Sequence, residues 1–231
     1  LAKTLEEDSS RPLVVWMIFD EFDYRLGFED RPDDLQMPNF DGLRHRSFHA
    51  TMGYPPADGT VESMVSLSLG RHIDLQGLNW QNLEVTDAGS GKPARWSELK
   101  TIFSEVHDRK MNVGILGQAI PYCRLLNNVI TNCYEFDRNW AGGFSAVLGR
   151  VGFVASKTLG NFPGAVRLAS TIAGTSSDVV YENYANAVLA ADTFSRRSEM
   201  DFILLHWAIP HTPYVWDRKR EEYTTPTSEP H

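Results

Sequence analysis

The sequence predicts a doubly wound α/β fold, with a mostly parallel sheet flanked by helices. Apolar runs of strand length occur at 13–20, 111–117 and 201–207, and segments with helical spacing separate them. These runs are continuously hydrophobic and do not alternate, which indicates strands buried on both faces, as in parallel sheets covered by helices. The strand, helix, strand order also implies a parallel crossover connection.

Length and charge limit the classes of protein to consider. The 231 residues suffice for one sizeable α/β domain. No interdomain linker is visible, so we predict a single domain over 1–231, with irregular ends at 1–11 and 218–231. The net charge of −8 argues against a nucleic-acid partner, because no basic block is present to neutralise phosphates.

The N-terminal half begins with the predicted strand 13–20, "LVVWMIFD", which is β-branched and aromatic and ends in an acid. The segment "MPNFDGLRHRSF" follows, and its Pro38 is placed to start a short helix. A second helix is predicted at 60–69, where apolar side chains recur at helical spacing.

The second half adds three helical segments and two strands. An amphipathic helix is predicted at 96–109, before the strand 111–117. The glycine-punctuated segment 142–173 is interpreted as a helical pair packed on the core, with a membrane-facing stretch as the alternative. A long helix is predicted at 178–196, before the strand 201–207.

Two cysteines occur, Cys123 and Cys133. They are too few for a zinc ribbon and do not form a CxxC motif. Two buried thiols are one interpretation. A short-loop disulfide is the other, and it would indicate an oxidising compartment.

Polar residues follow the predicted strands, where open parallel sheets bind ligands. Asp20 and Glu21 end the first strand, His206 lies at the end of the third, and His211 comes soon after. Thr60 stands at the start of the second helix. Carboxylate, imidazole and hydroxyl groups on one rim suit a divalent metal that activates an oxygen nucleophile.

Each of these residues also has a purely structural interpretation. The acidic pair Asp20 and Glu21 could be a solvated strand end, and Thr60 could be a helix N-cap. His206 could be a buried strand residue, and His211 a hydrogen-bonded loop histidine. The order and spacing of the segments favour the functional interpretation over these alternatives.

In that order, the segments "VVWMIFDEFD", "MPNFDGLRHRSF", "GTVESMVSLSLGR" and "FILLHWAIPHTPY" resemble the alkaline phosphatase superfamily, in its sulfatase and phosphoethanolamine/phosphoglycerol transferase branch. The resemblance covers about 13–214 and implies an alkaline-phosphatase-like fold. Counted back from the Gly-Arg pair that ends in Arg71, the family's nucleophile position falls on Thr60. The resemblance also implies that His211 contacts the substrate or leaving group.

The sequence departs from the family in two ways. The sulfatase pattern C/S-x-P-x-R is absent, because the positions from Thr60 to Met64 read "TVESM". A threonine nucleophile is instead what the headgroup transferases of the branch use. The Asp-His pair that completes the family's metal site is also absent, so we expect an N-terminal fragment of the catalytic domain, lacking the last strands of its sheet.

The resemblance therefore implies a metal-dependent phosphoryl-type transferase or phosphodiesterase, with Thr60 as nucleophile. Asp20, Glu21 and Thr60 are the expected metal ligands, and His206, His211 and Arg71 the expected substrate contacts. Zn²⁺ is the first expectation for the cofactor, with Mn²⁺, Ca²⁺ or Mg²⁺ as alternatives. The substrate would be a small-molecule or lipid-linked phosphate or sulfate ester.

The same resemblance implies an extracytoplasmic location, periplasmic or at the cell surface, with a membrane anchor outside this chain. It makes a disulfide between the two cysteines more plausible. Two alternatives stay open for the function. One is a catalytically degenerate sulfatase-like module with a binding or assembly role, and the other is a hydrolase of sulfate or phosphate monoesters.

Overall fold

Four parallel strands form the central sheet of the computed structural model. They are Val14–Phe19 (β1), Val113–Gly117 (β5), Asn132–Glu135 (β6) and Phe202–Trp207 (β7), in the spatial order β1, β7, β5, β6. The structure describes residues 1–5, 10–75, 82–87, 91–135, 176–207, 210 and 214–227.

The predicted fold class, an α/β fold with a parallel sheet flanked by helices, is confirmed. Strands β5 and β7 are buried along their whole length, as their continuous hydrophobicity predicts. Successive residues of β7 point to opposite faces, so Leu204 joins one hydrophobic cluster and Ile203 joins another. Apolar cores therefore cover both faces of the sheet.

Strand β1 differs from the prediction of a strand buried on both faces. Val14, Val15 and Met17 are 47%, 43% and 48% exposed. The reason is its position: within the described residues, β1 pairs only with β7 and forms the edge of the sheet.

Three helices lie where the sequence predicts them, within a few residues. Pro38–Arg46 (α1) begins with its proline, and Thr60–Leu69 (α2) begins at Thr60. Helix α2 ends at Gly70, whose φ of 65° is left-handed, as is common after a helix. The long helix spans Ser176–Ser195 (α5) and packs on the face of the sheet opposite α2.

The helix predicted at 96–109 is divided. Trp96–Glu98 forms one turn of 3₁₀ helix, and the α-helix begins only at Ile102 and ends at Asp108 (α3). The reason is local, because Thr101 and Ser104 form a capping box that starts a new helix. A four-residue helix, Tyr122–Leu125 (α4), was not predicted.

Short strands outside the central sheet were also not predicted. Ile73–Leu75 (β2), Glu84–Asp87 (β3) and Pro93–Arg95 (β4) form an antiparallel sheet. Tyr214–Asp217 (β8) and Glu222–Thr227 (β9) form an antiparallel pair. The prediction that 218–231 is irregular is therefore wrong for 222–227, where tyrosine and threonine side chains favour a strand.

In the part of the chain that the structure describes, no helix combines the length and the hydrophobicity needed to cross a membrane. The helical pair predicted at 142–173 lies outside the described residues.

Candidate functional site

The candidate site joins the carboxyl end of β1 to the start of α2. Asp20 directly follows β1, and its backbone N–H donates to the carbonyl of Trp207 at the end of β7. The hydroxyl Oγ1 of Thr60 donates to the Asp20 carboxylate, at 3.2 Å from Oδ1 and 3.3 Å from Oδ2. The chain thus brings together two candidates that lie 40 residues apart.

The structural alternative for Thr60, a helix N-cap, is not what the structure shows. Gly59 occupies the N-cap position in extended conformation, and Thr60 is the first helical residue. Its hydroxyl is therefore not used for capping and is directed at Asp20. Because Thr60 opens a ten-residue helix, it also lies at the positive end of the helix dipole.

A third side chain reaches Asp20 and was not predicted. Gln118 follows β5, and its Nε2 donates to Asp20 Oδ2 at 3.4 Å. β5 and β1 are both neighbours of β7, so their carboxyl ends lie about 10 Å apart on one edge of the sheet. The rule that predicts Asp20, a polar residue directly after a buried strand, would also have selected Gln118.

Glu21 lies beside Asp20 in an exposed, left-handed backbone conformation, with φ of 60°. Such a conformation is uncommon for residues other than glycine and is enriched at functional sites. Its proposed role as a metal ligand stays a prediction. His211 lies outside the described residues.

Two predicted substrate contacts are not brought to the Thr60 hydroxyl. Arg71 is exposed just beyond the C-terminal end of α2, whereas Thr60 is the first residue of that helix. The ten residues of α2 span about 15 Å. That length separates Arg71 from Thr60. His206 is only 1% exposed, which fits its structural interpretation as a buried strand residue. Its role as a substrate contact stays a prediction.

His206 is held by Tyr122, whose hydroxyl lies 3.0 Å from His206 Nδ1. Burial lowers the pKa of His206 to about 4, and burial together with the charges of Asp20 and Glu135 raises the pKa of Tyr122 well above its ordinary value. Both groups are therefore neutral near pH 7. Which of the two groups donates depends on the tautomer of the neutral imidazole.

Packing of Tyr122 against β5 depends on Gly117. A Cβ at this position would lie 2.7 Å from the tyrosine ring, which no real side chain tolerates. Because Gly117 has no side chain, the Tyr122 ring can pack against the backbone at the position just before Gln118.

An aromatic cluster fixes the chain that follows Asp20. Phe22 stacks on Phe40 of α1, with ring centroids 5.1 Å apart, and Phe19 and Phe28 pack against Phe40 edge-on. Aromatic pairs of this kind add to the stability given by burial alone. The loop after Asp20 is therefore tied to α1.

The donor atoms near Asp20 suit a divalent cation. The Asp20 carboxylate and the Thr60 hydroxyl lie 3.2 Å apart, and both are oxygen donors of the kind that hard cations prefer. Two ligands of one Mg²⁺ or Mn²⁺ ion are at most about 4 Å apart, so the pair fits. The residues present therefore fit a hard divalent cation, without identifying it.

Another group of possible ligands does not fit a metal. Among the described residues, one group brings three possible ligand atoms close together: Cys123, Cys133 and Glu135. Cys123 and Cys133 form a disulfide, which occupies both sulfur atoms. Of the two interpretations of the cysteines, the structure shows the short-loop disulfide.

Comparison of the chain with protein-family models, with curated proteins and with solved structures finds no match.

Proposed function

We propose that the chain carries the nucleophile and part of the metal site of a phosphoryl-type transferase or phosphodiesterase. One observation supports this most directly: the Thr60 hydroxyl is directed at the Asp20 carboxylate at the carboxyl edge of a parallel sheet. The motifs that resemble the alkaline phosphatase superfamily supply the reaction class, and an alkaline-phosphatase-like fold belongs to the same proposal.

In the proposed reaction, Thr60 Oγ1 gives its proton to the Asp20 carboxylate and forms a bond to phosphorus. The bond from phosphorus to the ester oxygen breaks, and the ester oxygen leaves as an alcohol that takes up the proton. The Asp20 carboxylate accepts the hydrogen bond of the hydroxyl and holds it in one orientation. A divalent cation bound by Asp20, with Glu21 as a further candidate ligand, would lower the hydroxyl pKa and offset phosphate charge. An acceptor alcohol or water would then release the phosphoryl group from Thr60.

The start of α2 supports phosphate binding at the same point. Helix N-termini favour anions, because their first N–H groups point outward and the helix dipole is positive there. Thr60 is the first residue of a helix long enough to provide this field. His211, outside the described residues, stays the proposed contact of the leaving group.

The disulfide bears on the location. Cys123 and Cys133 are bonded in the structure, and disulfides persist mainly in oxidising compartments. We propose an extracytoplasmic protein acting on a small-molecule or lipid-linked phosphate ester. A sulfate ester is the less favoured substrate, because the sulfatase pattern C/S-x-P-x-R is absent from the sequence.

The test is Thr60→Ala in the full-length protein, assayed for phosphodiester turnover with Zn²⁺ or Mn²⁺. We expect loss of turnover by several orders of magnitude, with partial recovery in Thr60→Ser, which keeps a hydroxyl. The matched control is Thr193→Ala, at an exposed position of α5 where the hydroxyl bonds the carbonyl of Leu189 in its own helix. Undiminished turnover in Thr60→Ala would refute the proposal.

A non-catalytic binding or assembly module is the second candidate. The observation in its favour is that no group of three His, Cys, Asp or Glu ligands forms around Asp20 among the described residues. Metal analysis of the full-length protein separates the two. Absence of bound or bindable divalent metal would support the module, and stoichiometric metal lost in Asp20→Ala would support the enzyme.

A further inference from the structure

Gln118 is a buried amide that reaches Asp20 with one polar atom and leaves the other without a partner among the described residues. Its side chain is 1% exposed, and its Nε2 lies 3.4 Å from Asp20 Oδ2 in the proposed metal site. Its other polar atom, Oε1, has no hydrogen-bond partner in the part of the chain that the structure describes. Within the described residues, the amide is thus oriented by Asp20 alone.

Asn112 provides a comparison, because it is a buried amide whose hydrogen-bond partners serve the structure. Its Nδ2 donates to the carbonyls of Leu5 and Glu199, and its Oδ1 accepts the N–H of Leu5. Those partners fix which atom is nitrogen and which is oxygen. Gln118 has no such set of partners.

Packing does not explain a glutamine at this position. A buried polar atom without a partner costs about 1–3 kcal/mol, and an apolar side chain of similar volume avoids that cost. The cost is offset if the amide serves a ligand at Asp20. The location supports this, because the same carboxylate also receives the Thr60 hydroxyl.

We propose that Gln118 is an oxygen ligand of the cation held by Asp20 and Thr60, an inference that rests on the proposed function. A half-turn of the terminal amide exchanges nitrogen and oxygen with little movement of heavy atoms. When the Asp20 carboxylate holds no cation, the amide presents its N–H₂ group to it. Facing a carboxylate that holds a cation, it presents Oε1.

The distances allow Gln118 and Thr60 each to share an ion with Asp20. The terminal amide of Gln118 and the hydroxyl of Thr60 lie 3.4 Å and 3.2 Å from oxygens of Asp20, below the limit of about 4 Å for two ligands of one Mg²⁺ or Mn²⁺ ion. The three donors would be a carboxylate, a hydroxyl and an amide oxygen. Such a set favours Mg²⁺, Mn²⁺ or Ca²⁺ over Zn²⁺, which prefers nitrogen and sulfur.

The test is the affinity of the full-length protein for Mn²⁺, measured by titration calorimetry or by the resonance of free Mn²⁺. We expect Gln118→Leu to raise the dissociation constant about tenfold or more, a loss similar to the effect of removing other groups that support a metal. Gln118→Glu keeps an oxygen donor and adds charge, so it should bind Mn²⁺ at least as tightly as the native protein. Asn112→Ala is the matched control, which should lower stability without changing Mn²⁺ affinity.

The outcomes separate this inference from the proposed function. If Asp20→Ala abolishes Mn²⁺ binding and Gln118→Leu changes it less than twofold, Gln118 is not a ligand and the metal site stands. If the native protein binds no Mn²⁺, or Asp20→Ala binds it equally well, both proposals fail. Thermal melting without metal shows whether each variant is folded, and Gln118→Glu still decides the question if Gln118→Leu is not.

Discussion

Tyr122 and His206 share a buried hydrogen bond of 3.0 Å, on the strand that positions the candidate site. His206 immediately precedes Trp207, whose carbonyl accepts the N–H of Asp20. The bond joins α4 to β7, the central strand beside β1. A change at this pair should therefore affect stability first, and the site only through the position of β7.

Stability should fall as the pH is lowered from 7 to 5, because of His206. Burial lowers its pKa to about 4, against an ordinary value of 6.5. Between these values the unfolded chain binds the proton and the folded protein does not, so each step toward lower pH favours unfolding. We expect a loss of about 2 kcal/mol in the free energy of unfolding from this residue.

Urea unfolding at pH 7 and pH 5 measures that loss. The matched variant is His206→Leu, which removes the titrating group and should show a smaller difference between the two pH values. An equal pH dependence in both proteins would show that other groups cause it.

Tyr122→Phe should destabilise the protein by about 1–3 kcal/mol, because it leaves His206 Nδ1 buried without its hydrogen-bond partner. The tyrosine ring is fully buried, so the phenylalanine keeps the packing and removes only the hydroxyl. A double-mutant cycle with His206→Leu isolates the hydrogen bond. Additive effects of the two substitutions would mean that the bond contributes nothing to stability.

Breaking the Cys123–Cys133 disulfide should lower the free energy of unfolding by about 3 kcal/mol, the value for closing a loop of this size. The double substitution of both cysteines by serine, compared with the oxidised protein by denaturant titration, measures the loss. Non-reducing mass spectrometry of the native protein provides the direct check. Two free thiols there would contradict both the disulfide and its support for an oxidising compartment.

Thr101→Ala should destabilise the protein by about 1 kcal/mol, the usual cost of losing an N-cap. The Thr101 hydroxyl accepts the backbone N–H of Ser104 at the start of α3. Thr193→Ala, at an exposed helical position, is the control with the same chemical change. Thermal unfolding that does not distinguish the two variants would show that the cap adds no stability.

The sequence predicts the interior of the fold better than its edges. Strands β5 and β7 are buried along their whole length, so continuous hydrophobicity identifies them. Strand β1 has the same pattern but lies at the edge of the described sheet. A run of apolar residues does not reveal how many neighbouring strands a strand has, so the sequence does not distinguish β1 from β5 and β7. The short strands β2, β3 and β4 contain too few residues for a period to be visible.

The candidate site was predictable in part for the same reason. Asp20 and Thr60 are recognised because an acid after a buried strand and a hydroxyl at a helix start are distinctive residue types. Gln118 occupies an equivalent position after β5, but its side chain is uncharged and therefore does not suggest a metal ligand in the sequence. Arg71 was placed by the resemblance, as part of the Gly-Arg pair, and the structure separates it from Thr60 by the length of α2, so its role as a substrate contact stays a prediction.

The edge position of β1 has a consequence for how the site is held. Asp20 lies at the end of a strand that hydrogen-bonds one described neighbour, so local opening of that strand would displace the carboxylate. A cation shared by Asp20, Thr60 and Gln118 would link the strand to α2 and to β5. At a cation concentration 100 times the dissociation constant, amide protons of β1 that exchange through this opening should exchange about 100 times more slowly. The ion would then hold the edge strand of the sheet in place.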